Sequence, residues 1–90
     1  MTPRPYTTSE RAAWLPILAE FVQACAQGDQ AVADAIGRQK ADLDGALMAG
    51  CDCTAADLDV LNGEQYINAL ASLMLVNAEA LSQEVPHGNR

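Results

Sequence analysis

The chain has 90 residues, enough for one domain, and a domain of this size buries only about 60–65% of its unfolded surface, so we expect a thin core. The formal charge is −7, and residues 41–89 hold eight acids and no base, which disfavours binding to nucleic acids or to an anionic membrane surface. The acidic half serves either solubility or attraction to a basic partner.

No segment resembles a signal peptide or reaches the roughly 20 apolar residues of a membrane span, so we expect a cytoplasmic protein. The 17 alanines favour helix. Residues 1–6 contain two prolines and are predicted to be a flexible N-terminal tail. Thr7 and Glu10 form a capping-box pattern, so a first helix is predicted to run from there to about Gln27. Pro16 predicts either a kink in this helix or its division into two.

A second helix is predicted over roughly 30–48, with Gly28 as the C-cap of the first helix and Asp29 as the N-cap of the second. Its core stripe consists of Val32, Ile36, Leu43 and Leu47. Small residues also recur along it at a spacing of four, namely Ala33, Gly37, Ala41, Gly45 and Ala49. A ridge of small residues lets another helix approach closely, and we expect a homodimer that associates through Ala33, Gly37, Ala41 and Gly45. Compositional drift in an alanine-rich chain is the alternative.

Gly50 ends the second helix, and Thr54 is predicted to cap a short third helix that extends to about Leu61. Cys51 and Cys53 flank one residue in the loop between them. A structural zinc site needs four ligands, normally in two pairs of wider spacing, so neither a metal nor any other cofactor is predicted.

His87 is the only histidine and lies in a predicted flexible C-terminal tail, residues 86–90. A general base must be held in position, and nothing in this pattern holds it. The sequence therefore predicts a single helical domain over residues 7–85 that is not an enzyme.

A fourth helix is predicted from about Gly63 to Glu84, begun by the capping pair Asn62 and Gln65 and stopped by Pro86. Its core face, at 100° per residue, holds Tyr66, Ile67, Leu70, Leu73, Met74, Asn77 and Leu81. An amide in such a face must find hydrogen bonds. For Asn77 we favour a bond within the monomer over one to a second chain.

Two apolar residues of this helix, Leu75 and Val76, lie off its core face. They stand beside the polar residues Asn68, Ser72 and Glu79. Apolar side chains with polar neighbours are typical of an interface and its rim, so these five residues are the predicted partner-binding surface. Packing of Leu75 and Val76 inside the monomer is an equal alternative.

The layout of the chain resembles that of the small Pseudomonas quorum-sensing antiactivators of the QslA kind. The resemblance rests on the proline-bearing N-terminal segment, the amphipathic helix Trp14–Cys25, the break at Gly28 and Asp29, and the helix start Leu61-Asn62-Gly63-Glu64-Gln65-Tyr66. It implies a dimer that binds a LasR-type transcription activator directly and keeps it off DNA.

We therefore expect an all-α fold of three longer helices and one short helix. The expected function is that of a protein-binding regulator, which inhibits a transcription activator by covering the surface that it needs for dimerisation or DNA binding. The alternatives are a phage-type inhibitor that mimics DNA with its acidic half and a small secretion or assembly chaperone. Charge mimicry should weaken steeply with salt, whereas apolar occlusion should not.

Overall fold

The fold of the chain consists of four helices, as a computed structural model that describes residues 2–84 shows. Their bounds are Thr8–Gln27 (α1), Asp29–Gly50 (α2), Ala55–Asp59 (α3) and Gly63–Glu84 (α4). Within these residues no β-strand forms, so the predicted all-α class of three longer helices and one short helix is confirmed. The predicted helix stop at Pro86 and the predicted tail at 86–90, with His87, lie outside the described residues.

The predicted caps form at three of the helix starts. Thr7 and Glu10 make the reciprocal hydrogen bonds of a capping box at α1. Thr54 caps α3 in the same way, and the Asn62 side chain accepts from the backbone N–H of Gln65 at 2.8 Å at the start of α4. These side chains satisfy backbone donors that have no partner inside a helix, which is why each helix begins there. α1 then continues through the exposed Pro16 as one helix.

A single residue, Gly28, connects α1 to α2. Its φ of 117° lies in the region that favours glycine, and it lets the chain reverse between two helices. α2 consequently starts one residue earlier than predicted, with Gly28 at the N-cap position and Asp29 as its first residue. The predicted N-cap role of Asp29 is therefore wrong.

α1 and α2 form an antiparallel hairpin, because Trp14 lies against Gly45 and Glu20 bonds to Gln39. α2 is interrupted at Gln39, whose φ of −120° and ψ of 24° are not helical. The Gln39 side chain donates from Nε2 to Glu20 at 2.6 Å, and its Oε1 is buried without a hydrogen-bond partner among the described residues. α2 thus consists of two segments that meet at this residue.

The core lies where α1, α2 and α4 meet. Its largest fully buried side chains are those of Phe21, Leu18, Leu43, Leu47, Leu70, Leu73 and Asn77. Four predicted core positions differ, since Ile36, Ile67 and Met74 are only half-buried and Leu81 is exposed. The protein is 19 Å thick along its shortest axis, which is about two helix diameters. In a fold this thin, each long helix has a face that none of the other described helices covers.

The segment before α1 is part of the core, so the prediction of an N-terminal tail is wrong. Tyr6 is 2% exposed, and its hydroxyl donates to the Ala46 carbonyl at 2.6 Å. The Arg4 N–H donates to the Gly50 carbonyl at 2.8 Å, and Pro3 forms an isolated antiparallel bridge with Cys51. The prolines prevent a helix here, but an extended backbone can still supply the donors that the carbonyls at the end of α2 lack.

An ion pair joins this segment to the first turn of α1. The Arg4 guanidinium donates to both carboxylate oxygens of Glu10, at 3.0 and 3.1 Å. The Arg4 contact and the Thr7 backbone N–H lower the pKa of Glu10 from 4.5 to about 2. Because the folded pKa lies below the unfolded one, this contribution to stability is complete above pH 4.5 and is lost as pH falls towards 2.

We therefore expect Glu10→Gln to be less stable than wild type at neutral pH. The difference in free energy of unfolding between the two proteins should shrink as pH falls from 4.5 towards 2. Glutamine can still accept from the Thr7 N–H, so this variant removes the charge and keeps the cap. Urea unfolding at several pH values between 7 and 2 measures the effect. If the difference in free energy of unfolding between wild type and Glu10→Gln stays constant over this range, the role given to Glu10 is contradicted.

Candidate protein-binding surface

One stripe of α4 points away from the core and brings four of the five predicted partner-binding residues together. Asn68, Ser72, Leu75 and Glu79 are all exposed, and their spacing places them within about 60° of one another around the helix. Leu75 is 64% exposed although it is a large apolar residue. We call these four residues the α4 outer face. Val76, the fifth predicted residue, is half-buried at the edge of this stripe.

A groove of about 300 Å³ runs beside the α4 outer face. One wall consists of Asn68 and Ser72 together with Gln65, and the other contains Pro3 and Cys51. Pro3 was missed as part of this surface because residues 1–6 were predicted to be a tail, and Cys51 was considered only as a metal ligand. The two-proline run is the signal for an extended segment, but nothing in it indicates where that segment lies.

The residues from 41 to 84, which include all of α4, carry acids and no base. Arg4, which follows the groove residue Pro3, is paired with Glu10 at 3.0 Å. The nearest base before this range, Lys40, is bound to both carboxylate oxygens of Asp44 at 2.9 Å and lies 4.8 Å from the centre of the Tyr66 ring. Its charge is therefore already matched within the chain.

Asp44 and Tyr66 share a short hydrogen bond of 2.6 Å that joins α2 to α4. Burial would raise the pKa of Asp44, but the bonds from Tyr66 and Lys40 outweigh it and leave the pKa below its usual value. Burial is the main reason that the pKa of the Tyr66 hydroxyl is raised, and the bond to Asp44 raises it further. The pair is a structural contact in which both groups keep their ordinary protonation states at neutral pH.

The Asn77 amide is fully satisfied inside the monomer, which confirms the prediction for it. Asn77 is 1% exposed. Its Oδ1 accepts from the Tyr6 N–H at 2.7 Å, and its Nδ2 donates to the carbonyls of Leu73 at 2.9 Å and Arg4 at 3.4 Å. Asn77 thus holds the N-terminal segment against α4 and is not available to a partner.

The small residues of α2 divide into a covered and an uncovered part. An added Cβ at Gly45 would lie 2.7 Å from the Trp14 ring, so a side chain of the same chain occupies this position. Ala33, Gly37 and Ala41 are exposed, and a Cβ at Gly37 would meet nothing within 4 Å. Trp14 was missed as the occupant because spacing within one helix does not show what packs on it. Self-association through the exposed part stays a prediction.

The two cysteines of the loop after α2 are covered to different degrees. Cys51 is buried and Cys53 half-buried, and burial raises the pKa of both thiols. Within residues 2–84, no three His, Cys, Asp or Glu side chains lie together in a way that would hold a metal ion.

In the part of the chain that the structure describes, none of the helices combines the length and apolar character needed to cross a membrane. Comparison with known protein families, with curated proteins and with solved structures found no match to this chain. The argument for function therefore rests on the surfaces described above.

Proposed function

We propose that this protein is a non-enzymatic regulator that binds another protein through the α4 outer face and acts by covering a surface that its partner needs. The observation that carries the proposal is Leu75, a large apolar side chain that is 64% exposed on the side of α4 opposite the core. The polar residues around it match the composition of an interface rim. The groove between α4 and Pro3 gives this surface a concave edge.

The partner we propose is a transcription activator of the LasR type, inhibited in its dimerisation or DNA binding. This choice follows from the resemblance to the QslA kind of antiactivator. The homodimer that the resemblance implies is part of the same proposal. Purified LasR-type activator is accordingly the probe for the first binding experiment.

Leu75→Asp is expected to weaken binding to this activator by about tenfold to a hundredfold. Burial of a leucine side chain contributes about 1.5–3 kcal/mol, and each 1.4 kcal/mol corresponds to about tenfold in Kd. Because Leu75 is largely exposed in the free protein, helicity and thermal stability should stay close to those of wild type. Isothermal titration calorimetry at 0.15 and 0.5 M salt gives the affinity and its salt dependence.

Val22→Asp is the matched control, because Val22 is an exposed valine on a different helix, α1. It introduces the same charge and should leave the affinity unchanged. A folded Leu75→Asp protein that binds as tightly as wild type would show that the α4 outer face is not the binding surface. A steep loss of wild-type affinity with salt would favour charge mimicry over apolar occlusion.

A further inference from the structure

A second concave surface lies at the corner where α3 leads into α4, away from the residues of the α4 outer face. It is a groove of about 380 Å³, which we call the α3–α4 groove. Apolar parts of three elements line it, contributed by Ile36, Leu58, Leu61 and the Tyr66 ring. Leu58 and Tyr66 also belong to the core, so this lining is anchored in the body of the protein.

Val60 is the residue between two lining residues of this groove. It is 80% exposed, more than any other large apolar residue in the described part of the chain. Its two neighbours, Asp59 and Leu61, both line the groove. Its position is fixed by the turn that ends α3, in which the Leu61 N–H donates to the Leu58 carbonyl at 3.1 Å. An exposed apolar side chain therefore lies, in the chain, between two residues that line the groove.

The charges around this surface favour binding of a basic segment. Asp59 lines the groove, and Glu64 follows directly after the lining residue Gly63. Lys40 is the one base among the described lining residues, and its charge is matched by Asp44 at 2.9 Å. Arg38 lies elsewhere, in a third groove between α1 and α2. A second copy that docked into this groove through its residues 41–84 is disfavoured, because that part of the chain holds acids and no base and would oppose Asp59 and Glu64.

We propose that Val60 and the α3–α4 groove dock a segment of a partner protein in which an apolar side chain is flanked by arginine or lysine. The apolar side chain enters the groove beside Val60, and the basic side chains pair with Asp59 and Glu64. This surface is separate from the α4 outer face, so its test is independent of the proposed target.

The experiment uses the full chain labelled with ¹⁵N and two synthetic 18-residue amphipathic peptides of the same pattern, one of leucine and arginine and the other of leucine and glutamate. We expect the leucine–arginine peptide to shift the amide resonances of residues 58–66 and of Ile36. The leucine–glutamate peptide should not shift them, since its charge opposes that of the groove.

Two variants and one control test which residues of the protein contact the peptide. Val60→Ser should weaken binding of the leucine–arginine peptide by about tenfold, and Asp59→Asn should weaken it most at low salt. Val22→Ser makes the same chemical change at an exposed valine of α1 and should leave the affinity unchanged. Both residues changed to serine are exposed, so both proteins should fold as wild type does.

The proposal is overturned if the leucine–glutamate peptide binds equally well, if the shifted amides lie on the α4 outer face, or if Val60→Ser binds with wild-type affinity. It is also overturned if sedimentation shows that Val60→Ser dissociates a homodimer, since the occupant would then be a second copy. None of these outcomes depends on whether Leu75→Asp releases the proposed activator, so the two proposals fail separately.

Discussion

Replacement of Tyr6 by alanine is expected to lower the free energy of unfolding by about 3–5 kcal/mol, the range for removal of a buried aromatic side chain. The ring is 2% exposed, and its hydroxyl bonds to the Ala46 carbonyl at 2.6 Å. Small domains are stable by only about 5–15 kcal/mol, so this one change removes a large share of the total. The substitution leaves the backbone N–H that bonds to Asn77 in place, so the effect reports on the side chain alone.

Tyr6→Phe separates the two contributions of this residue. It keeps the ring and removes only the hydroxyl bond, so we expect a loss of about 0.5–1.5 kcal/mol. Urea unfolding followed by circular dichroism measures both variants. If Tyr6→Ala unfolds at the same urea concentration as wild type, the first residues are a tail after all.

Alanine substitution at two glycines of α2 is expected to have opposite effects. A Cβ at Gly50 would collide with the fully buried Leu73 side chain and would lie 3.0 Å from the Tyr6 ring. Because Leu73 is fully buried, its side chain can make room only by moving against other core residues, so Gly50→Ala should destabilise the protein by about 1–3 kcal/mol, as overpacking of a core does. A Cβ at Gly37 would meet nothing, so Gly37→Ala should stabilise it by about 1 kcal/mol through helix propensity.

Thermal and urea unfolding of the two variants gives the sign of each effect. Gly37→Ala is the control for Gly50→Ala, because it makes the same chemical change in the same helix without the contact. A stabilising effect at both positions would mean that α4 does not approach the end of α2 as closely as the structure places it.

Local signals in the sequence predicted the helices well. The capping pairs at Thr7 and Asn62 act within a few residues, so their hydrogen bonds can be inferred from spacing alone. The same holds for the core face of α4, where a period of 3.6 residues places Leu70 and Leu73 on one side. Leu75 was correctly placed off this face because its angle around the helix does not depend on what the helix packs against.

Contacts between distant parts of the chain were not predictable in this way. The sequence gives no local reason for Tyr6 to enter the core, since the contact depends on the carbonyls at the end of α2. Likewise, the ring that covers Gly45 belongs to Trp14 on another helix, and nothing around Gln39 indicates that α2 is interrupted there. The exposure of Val60 depends on where α3 ends, which differs by two residues from the predicted bound.

The bond between Tyr6 and Asn77 joins residues 71 positions apart and has a consequence for synthesis of the chain. The α1–α2 hairpin needs only neighbouring residues and can form early, because local contacts close short loops. The Tyr6 N–H, in contrast, gains its partner only after residue 77 has left the ribosome. Until then the N-terminal segment is not bonded to α4. The nascent protein therefore exposes apolar surface that is buried in the completed fold.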